Sequence, residues 1–325
     1  MDLIAIETLR ARARDGDVQA LGALGKRLLL GLGTAAAPQE GHACLMDAAA
    51  RGDGEASAQL ALLAGWGVLR PQNWPEALEH LQRAATLGWL PAQRELRFLA
   101  RQGGDDWPTL RDRVDIAAWT AAPAARQLAA LPQVRAIDGF ATPAECAWLI
   151  ALARSGLRRA QVYRQDTAGY TDSGTRTNSE ADYTFGNADL VLRLIIERIS
   201  RAIGLPMCHF EVAKLLHYEA GEQFAPHHDF QDPAIPALAR EVARRGQRVA
   251  TVLVYLNDDF EGGETEFPRL GLRHRGATGD ALLFANVRPD GTLDHDSLHA
   301  GLPPTRGVKW VLSQWIRSRP VDGSA

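Results

Sequence analysis

The sequence predicts an α+β chain: an all-α, repeat-bearing region over residues 1–104, a transition over 105–131, and from residue 132 a sandwich or jelly roll with supporting helices. Three observations predict it. The first third is rich in Ala, Leu and Gly, with apolar residues at helical spacing, as in Leu21, Leu24, Leu28 and Leu29. Prolines then interrupt the chain at Trp107-Pro108, Ala121-Ala122-Pro123 and Leu131-Pro132. From Phe210 onward β-branched runs alternate with turn signals.

The helical third has internal self-similarity. Ala48-Ala49-Ala50-Arg51-Gly52 returns 36 residues later as Ala84-Ala85-Thr86-Leu87-Gly88, and Gly31-Leu32-Gly33 returns 34 residues later as Gly65-Trp66-Gly67. The period is imperfect, but it lies near that of helix-turn-helix units that stack into solenoids. After the transition, Thr142 and Pro143 make a helix start, an N-cap followed by proline at the first helical position. Residues 189–203 form a second helix with strong apolar periodicity. Val249 to Leu256 is a β-branched strand, and Gly262-Gly263, Gly279-Asp280 and Pro303 to Gly307 are turns. Many short strands with regular turns suggest a sandwich or jelly roll.

Composition excludes several classes. With 46% hydrophobic and 23% charged residues in 325, the chain is long enough for two domains with a sizeable core. A formal net charge of −3 lacks the basic excess of nucleic-acid binders, so no nucleic-acid partner is expected. Cys44, Cys146 and Cys208 are far apart and odd in number, which argues against a disulfide framework and for a reducing compartment. The opening Met1 to Glu7 has neither a basic leader nor a long apolar run. A cytoplasmic location and no membrane partner are expected.

The chemistry is concentrated in the last third. His227-His228-Asp229 supplies an H-x-D pair, and on a strand His227 and Asp229 share a face while His228 points to the other. His299 lies on a separate strand-like segment. Two imidazoles and one carboxylate with open positions beside them form the ligand set of non-haem Fe(II) oxygenases. Lys309 follows ten residues after His299, and the turn from Pro303 to Gly307 predicts that residues 308–316 fold back beside the His299 strand. There Lys309 shares a face with Val311, Ser313 and Trp315. An ammonium inside a barrel is costly unless an anion meets it. A dicarboxylate that chelates iron at one end would supply that anion at the other. Thr251 and Tyr255 share a strand face and can offer hydroxyls to a carboxylate, and Tyr218 precedes the H-x-D pair. His42, His80, His209, His217, His274 and His295 lack partner spacing and read as structural or surface residues.

These residues together resemble the prolyl 4-hydroxylase branch of the Fe(II)/2-oxoglutarate dioxygenases. The resemblance rests on Tyr218-x2-Gly221-x2-Phe224-x2-His227-x-Asp229, Tyr255-Leu256-Asn257, Glu261-Gly262-Gly263-Glu264-Thr265, Gly279-Asp280-Ala281, and His299 with Lys309-Trp310. Upstream, Ile137-Asp138-Gly139-Phe140 and Glu145-Cys146-x2-Leu149-Ile150 are similar to the entry of that catalytic domain. The pattern Ala20-x3-Leu24-Gly25-x2-Leu28-x2-Gly31-x-Gly33, then Ala48-Ala49-x2-Gly52, resembles Sel-like repeats, relatives of the tetratricopeptide class.

The resemblance implies a double-stranded β-helix over 132–320, with Fe(II) held by His227, Asp229 and His299 and with 2-oxoglutarate and O2 as co-substrates. Lys309 would pair the distal carboxylate, with Tyr255 near it and Tyr218 nearer the metal, and ascorbate would serve as reductant. Arg176-Thr177-Asn178 is similar to an Arg-Thr-Ser segment near the substrate groove, which makes Arg176 and Asn178 substrate candidates. Two departures bear on substrate. Phe224 stands where collagen-type members commonly have Tyr, and Phe284-Ala285-Asn286 where they commonly have Trp-Tyr-Asn, positions that line the peptide side of the pocket. The presence of Asp229 argues against a halogenase-like site. The expected activity is hydroxylation of peptidyl proline, with the repeats docking a protein substrate. The alternatives are hydroxylation of another residue or a small metabolite, a non-catalytic scaffold sensing iron or 2-oxoglutarate, and a nucleic-acid demethylase. The last is weakened by the charge balance and by Lys309, since that branch typically anchors with arginine.

Overall fold

A computed structural model describes residues 5–164, 169–171 and 174–321. Residues 1–4, read above for a leader, lie outside it. Two compact units are present: the first comprises residues 1–119 together with Asp189–Leu194, and the second Thr120–Ala188 with Ile195–Ala325. Among the described residues no helix is long and apolar enough to cross a membrane.

The first unit is built from α1 (Ile6–Arg14), α2 (Val18–Leu30), α3 (Pro38–Ala50), α4 (Gly54–Trp66), α5 (Trp74–Thr86) and α6 (Leu90–Leu99). The short helices α7 (Trp107–Asp112) and α8 (Ile116–Thr120) occupy part of the stretch expected as a transition. The repeat is regular: α2, α4 and α6 begin at Val18, Gly54 and Leu90, each 36 residues after the last, and α3 and α5 begin at Pro38 and Trp74. Asp17 and Asp53 cap α2 and α4 by accepting backbone N–H bonds, from Ala20 and from Glu55 and Ala56. Gly31 and Gly67 end the same helices in the left-handed conformation. Gly31 therefore corresponds to Gly67, and the 34-residue match of Gly31 with Gly65 is out of phase. At the end of α2 the capping position falls on the first glycine of its pair, Gly31, and at the end of α4 on the second, Gly67. Gly25 and Gly41 let α2 and α3 touch backbone to backbone; a Cβ on Gly25 would sit 2.8 Å from the Gly41 carbonyl oxygen.

The second unit runs β1 (Arg126–Ala129), β2 (Val134–Ile137), α9 (Pro143–Ala153), β3 (Arg158–Arg159), β4 (Val162–Arg164), β5 (Gly169–Thr171), β6 (Ser179–Asp182) and, from Ile195 on, the helix α10 (Leu190–Ile203). It continues with β7 (Lys214–Tyr218), β8 (Phe224–His227), α11 (Pro236–Arg245), β9 (Arg248–Tyr255), β10 (Glu261–Gly262), β11 (Thr265–Phe267) and β12 (Leu272–His274). It closes with β13 (Ala281–Ala285), β14 (His299–Gly301), β15 (Pro304–Arg306) and β16 (Lys309–Arg317). An eight-stranded antiparallel sheet has the order β1-β2-β13-β9-β16-β7-β6-β3, and a four-stranded antiparallel sheet the order β12-β11-β14-β8. The chain alternates between them, which is the jelly-roll pattern.

That alternation corrects one expectation. Strand β16 does not lie beside the His299 strand. It pairs with β7 and β9 in the large sheet, while β14 pairs with β11 and β8 in the small one. After β14 the chain forms β15, which pairs with β10, before it enters β16 in the other sheet. Lys309 and His299 therefore reach a common interior from opposite walls.

Local chemistry fixes the supports. Thr142 and Glu145 form a full capping box at the start of α9. Glu145 also pairs with Arg198 of α10 at 2.9 Å, and both side chains are buried. The turn before β13 is locked through Asp280, whose carboxylate accepts from the N–H groups of Gly139 and Ala277, both at 2.8 Å. Gly279 has φ +91°, and a Cβ there would lie 1.9 Å from the Ala141 carbonyl oxygen. Replacing Gly279 by Ala combines left-handed strain with that backbone clash. We expect Gly279→Ala to lower unfolding free energy by at least about 1–3 kcal/mol in a urea titration; wild-type stability would refute this account of the turn.

Candidate metal centre

The site forms between the two sheets. Phe224 and His227 of β8, Thr265 of β11 and His299, Ala300 and Gly301 of β14 face Leu216 and Tyr218 of β7, Leu253 of β9, and Lys309, Val311, Ser313 and Trp315 of β16. Arg176 and Asp229 complete the walls of a cavity of about 460 Å³, its mouth included.

His227 and His299 are direct cross-strand partners in β8 and β14, with ring centroids 4.3 Å apart. Asp229 lies just beyond the end of β8. Its Oδ1 is 3.6 Å from His227 Nε2 and its Oδ2 is 3.6 Å from His299 Nε2. One ligand atom from each of the three residues lies within 4.8 Å of the others, the sole such group among the described residues. Each histidine is turned by its other nitrogen. His227 Nδ1 bonds the Ala225 carbonyl at 2.9 Å, and His299 Nδ1 bonds the Ser297 carbonyl at 3.0 Å. A carbonyl only accepts, so Nδ1 carries the proton and the Nε2 lone pairs are free for a metal.

The electrostatics agree. Burial and the neighbouring His227 push His299 down to about 4, so it is neutral at ordinary pH. Burial alone would raise Asp229, but His299, His227 and Arg248 outweigh it and hold the carboxyl well below the usual range. A buried anion beside two imidazoles that each turn Nε2 towards it suits a divalent cation. Aromatic rings back both histidines: Phe224 stacks on His227 with centroids 3.5 Å apart, and Phe284 lies 4.6 Å from His299.

Lys309 reaches the same cavity from β16. Its Nζ donates to the Gly263 carbonyl at 2.7 Å and lies 5.3 Å from the Tyr218 ring and 5.6 Å from the Tyr255 ring. No carboxylate of the described residues hydrogen-bonds it. Burial drops its pKa to about 8, with Glu264 opposing the fall. An ammonium so placed fits an anionic ligand group.

Several candidate residues do something other than expected. The Thr251 hydroxyl does meet a carboxylate, but that of Asp229, donating to Oδ2 at 2.7 Å. The Tyr255 hydroxyl is taken up by Thr265 Oγ1 at 2.9 Å, so the hydroxyl lining the cavity there is that of Thr265. Tyr218 lines the cavity, with burial pushing its phenol up to about 12. Phe284 does not line the peptide side of the pocket; it is 2% exposed and packs in the core against Phe267 and His299. An inward strand position next to a metal ligand leaves its ring no route to solvent. Asn178 is likewise fully buried, with Oδ1 accepting from Arg176 Nε at 3.2 Å and Nδ2 donating to the Ser179 carbonyl. It holds Arg176 rather than facing a substrate. Arg176 itself pairs with Glu180 at 2.7 Å and lies 4.6 Å over Phe224, making a guanidinium–phenyl–imidazole stack that ends on His227.

The sequence reading gave Thr265 and Asn286 no role at the site, and Trp315 one only as a neighbour of Lys309. Alternation along β16 places Trp315 on the Lys309 face, so that one was legible. No spacing rule could find Asn286, which meets Thr251 from the neighbouring strand.

Residues 213–317 match the 2OG-Fe(II) oxygenase superfamily. The chain is 36% identical over 241 residues to probable prolyl 4-hydroxylase 10 of Arabidopsis thaliana, covering 68% of this chain and 77% of that one. Among solved structures it is similar to a viral collagen prolyl hydroxylase of Paramecium bursaria Chlorella virus-1 bound to 2OG, with 26% identity, coverage of 57% of this chain and 95% of that one, and a TM-score of 0.43. It is also similar to a Sel1 repeat protein from Oxalobacter formigenes, with 20% identity, coverage of 35% and 51%, and a TM-score of 0.28.

Removing a ligand tests the centre directly. His299→Ala should weaken Fe(II) or Co(II) binding by more than the roughly 10- to 100-fold typical of outer-shell changes. Equilibrium dialysis showing unchanged affinity would exclude His299 from the metal site.

Proposed function

Because this chain belongs to the prolyl 4-hydroxylase family of the 2OG-Fe(II) oxygenase superfamily, we propose that it hydroxylates prolyl residues in a peptide or protein substrate, with 2-oxoglutarate and O2 as co-substrates. The observation that carries this reading is the pairing, in one cavity, of the His227, Asp229 and His299 group with the buried ammonium of Lys309.

His227 Nε2, His299 Nε2 and an Asp229 oxygen would hold Fe(II). When bound, the iron couples oxidative decarboxylation of 2-oxoglutarate to hydroxylation of a C–H bond. The chain's own residues supply the rest. Lys309 neutralises the distal carboxylate of the co-substrate, while Tyr218 and Thr265 line the same cavity. Leu216, Leu253 and Val311 give it apolar walls that limit water. Arg176 is held by Glu180 and Asn178 against Phe224, so the substrate side presents a supported, uncharged ring beside His227. That surface suits a neutral, compact side chain such as proline. The 36-residue helical repeats support docking of a protein substrate, because stacked repeats present extended surfaces. Ascorbate is the proposed reductant that keeps the iron ferrous.

Two measurements test the reading. Incubation with Fe(II), 2-oxoglutarate and a library of prolyl peptides should release succinate in step with 4-hydroxyproline, detected by mass spectrometry. Succinate release stimulated by free amino acids or other residues, but by no prolyl peptide, would replace proline as substrate. The second concerns pH. Lys309 must be protonated to pair with a carboxylate, and with its pKa near 8 that form is lost as pH rises. KM for 2-oxoglutarate should therefore be flat below pH 8 and climb about tenfold per unit above it. Lys309→Met should raise KM by about 30-fold or more, the loss of one buried charge partner, and abolish that pH dependence. A pH dependence that survives in Lys309→Met assigns it to another group.

A further inference from the structure

The two oxygens of Asp229 have different surroundings. Each lies 3.6 Å from an imidazole Nε2, Oδ1 from that of His227 and Oδ2 from that of His299, but Oδ2 also accepts the Thr251 hydroxyl at 2.7 Å. The Thr251 hydroxyl accepts in turn from Asn286 Nδ2 at 3.0 Å. All three side chains are buried, Asn286 completely. A carboxylate only accepts and an amide NH2 only donates. The single hydroxyl proton of Thr251 therefore has one direction open to it, towards Asp229. The amide orientation follows from the same count: with its oxygen turned to Thr251, the hydroxyl would face two acceptors with one proton.

The arrangement carries a penalty. Asn286 Oδ1 is left buried without a hydrogen-bond partner, which costs about 1–3 kcal/mol. A polar group retained in a core against such a penalty needs an explanation. Its backbone supplies one. Thr251 lies in β9, and Asn286 directly follows β13, the neighbouring strand, with its N–H donating to the Val249 carbonyl at 2.9 Å. Both are fixed to the large sheet. Asp229 is not, since it lies past the end of β8, where no ladder bond restrains it. Its carboxylate is steadied by a side chain on the opposite wall.

We propose that Asn286 and Thr251 form a one-way donor relay that occupies Asp229 Oδ2 and reserves Oδ1 for the metal, making both of them positioning residues of the metal centre. The proposal rests on the reading of His227, Asp229 and His299 as the Fe(II) site. Without the relay the carboxylate is free to rotate and to offer both oxygens, which would reduce the positions left open for co-substrate and oxygen. Thr251 thus governs the coordination number without touching substrate.

The test is a Co(II) titration of the full-length protein, followed by affinity and by visible absorption, which reports coordination geometry. Thr251→Val keeps the shape and removes the hydroxyl; it should bind Co(II) about 10- to 100-fold more weakly, with a shifted spectrum. Thr251→Ser restores the hydroxyl and should return both readouts to within about threefold of wild type. Asn286→Leu, which frees the hydroxyl to rotate, should move both in the direction of Thr251→Val. Wild-type affinity and spectrum in Thr251→Val overturn the relay, as does a Thr251→Ser variant impaired as much as Thr251→Val. An Asn286→Leu variant that matches wild type overturns it also, reducing it to one hydrogen bond. If the wild-type protein itself fails to bind Co(II), the metal reading fails instead, and the two failures are thereby distinguished.

Discussion

The catalytic unit depends on one cross-strand pairing, His227 against His299. Strands β8 and β14 are short, of four and three residues, yet their register sets the whole centre. Side chains alternate with period two, so a slip of one residue would turn an imidazole out of the interior. His228 shows what that other face looks like: its ring stacks on Phe230, and its Nε2 bonds the His295 carbonyl. With the register fixed, the carbonyls of Ala225 and Ser297 orient both rings, and Phe224 and Phe284 back them. The ligand geometry is thus a property of the small sheet and its aromatic support.

The large sheet supplies what the small one lacks. Strand β16 lies between β9 and β7 and carries Lys309, Val311, Ser313 and Trp315 into the same interior. A buried ammonium with one carbonyl partner is electrostatically expensive, and its depressed pKa expresses that cost. The buried carboxylate of Asp229, taken out of water beside His227 and His299, is costly in the same way. A cation at one end and an anionic group at the other relieve both, so ligand binding and the stability of this interior are coupled. The Arg176–Phe224–His227 stack adds a third constraint, because Glu180 and Asn178 fix the guanidinium that presses the ring onto the ligand.

Much of this was legible in the sequence. The ligand set His227, Asp229 and His299 was readable because donor type and strand alternation are local properties. The common face of Lys309, Val311, Ser313 and Trp315 was readable for the same reason, as were the Thr142 N-cap and the Leu21, Leu24 and Leu28 helix face. The repeat was visible, but its phase was not, because Gly65 and Gly67 look alike in sequence and differ only in backbone conformation. The partner of β16 was misjudged: a tight turn shows that a chain reverses, not which sheet it joins. Asn178, Thr251 and Phe284 were each placed on the correct wall or neighbourhood with the wrong contact, since side-chain partners depend on how two sheets stack.

By itself, then, the sequence determined the chemistry available: two imidazoles, two charged groups of opposite sign, and the periodicities that aim them inward. Tertiary structure alone decided how they are used. It set Thr251 on an oxygen of Asp229, 22 residues away in the chain, and placed Asp280 beneath the Gly139 N–H across 141 residues. Such contacts carry no periodic signature. Propensity and alternation act over a few residues along one strand, whereas the direction of a hydroxyl proton is settled by the acceptors and donors that close packing brings around it from other strands.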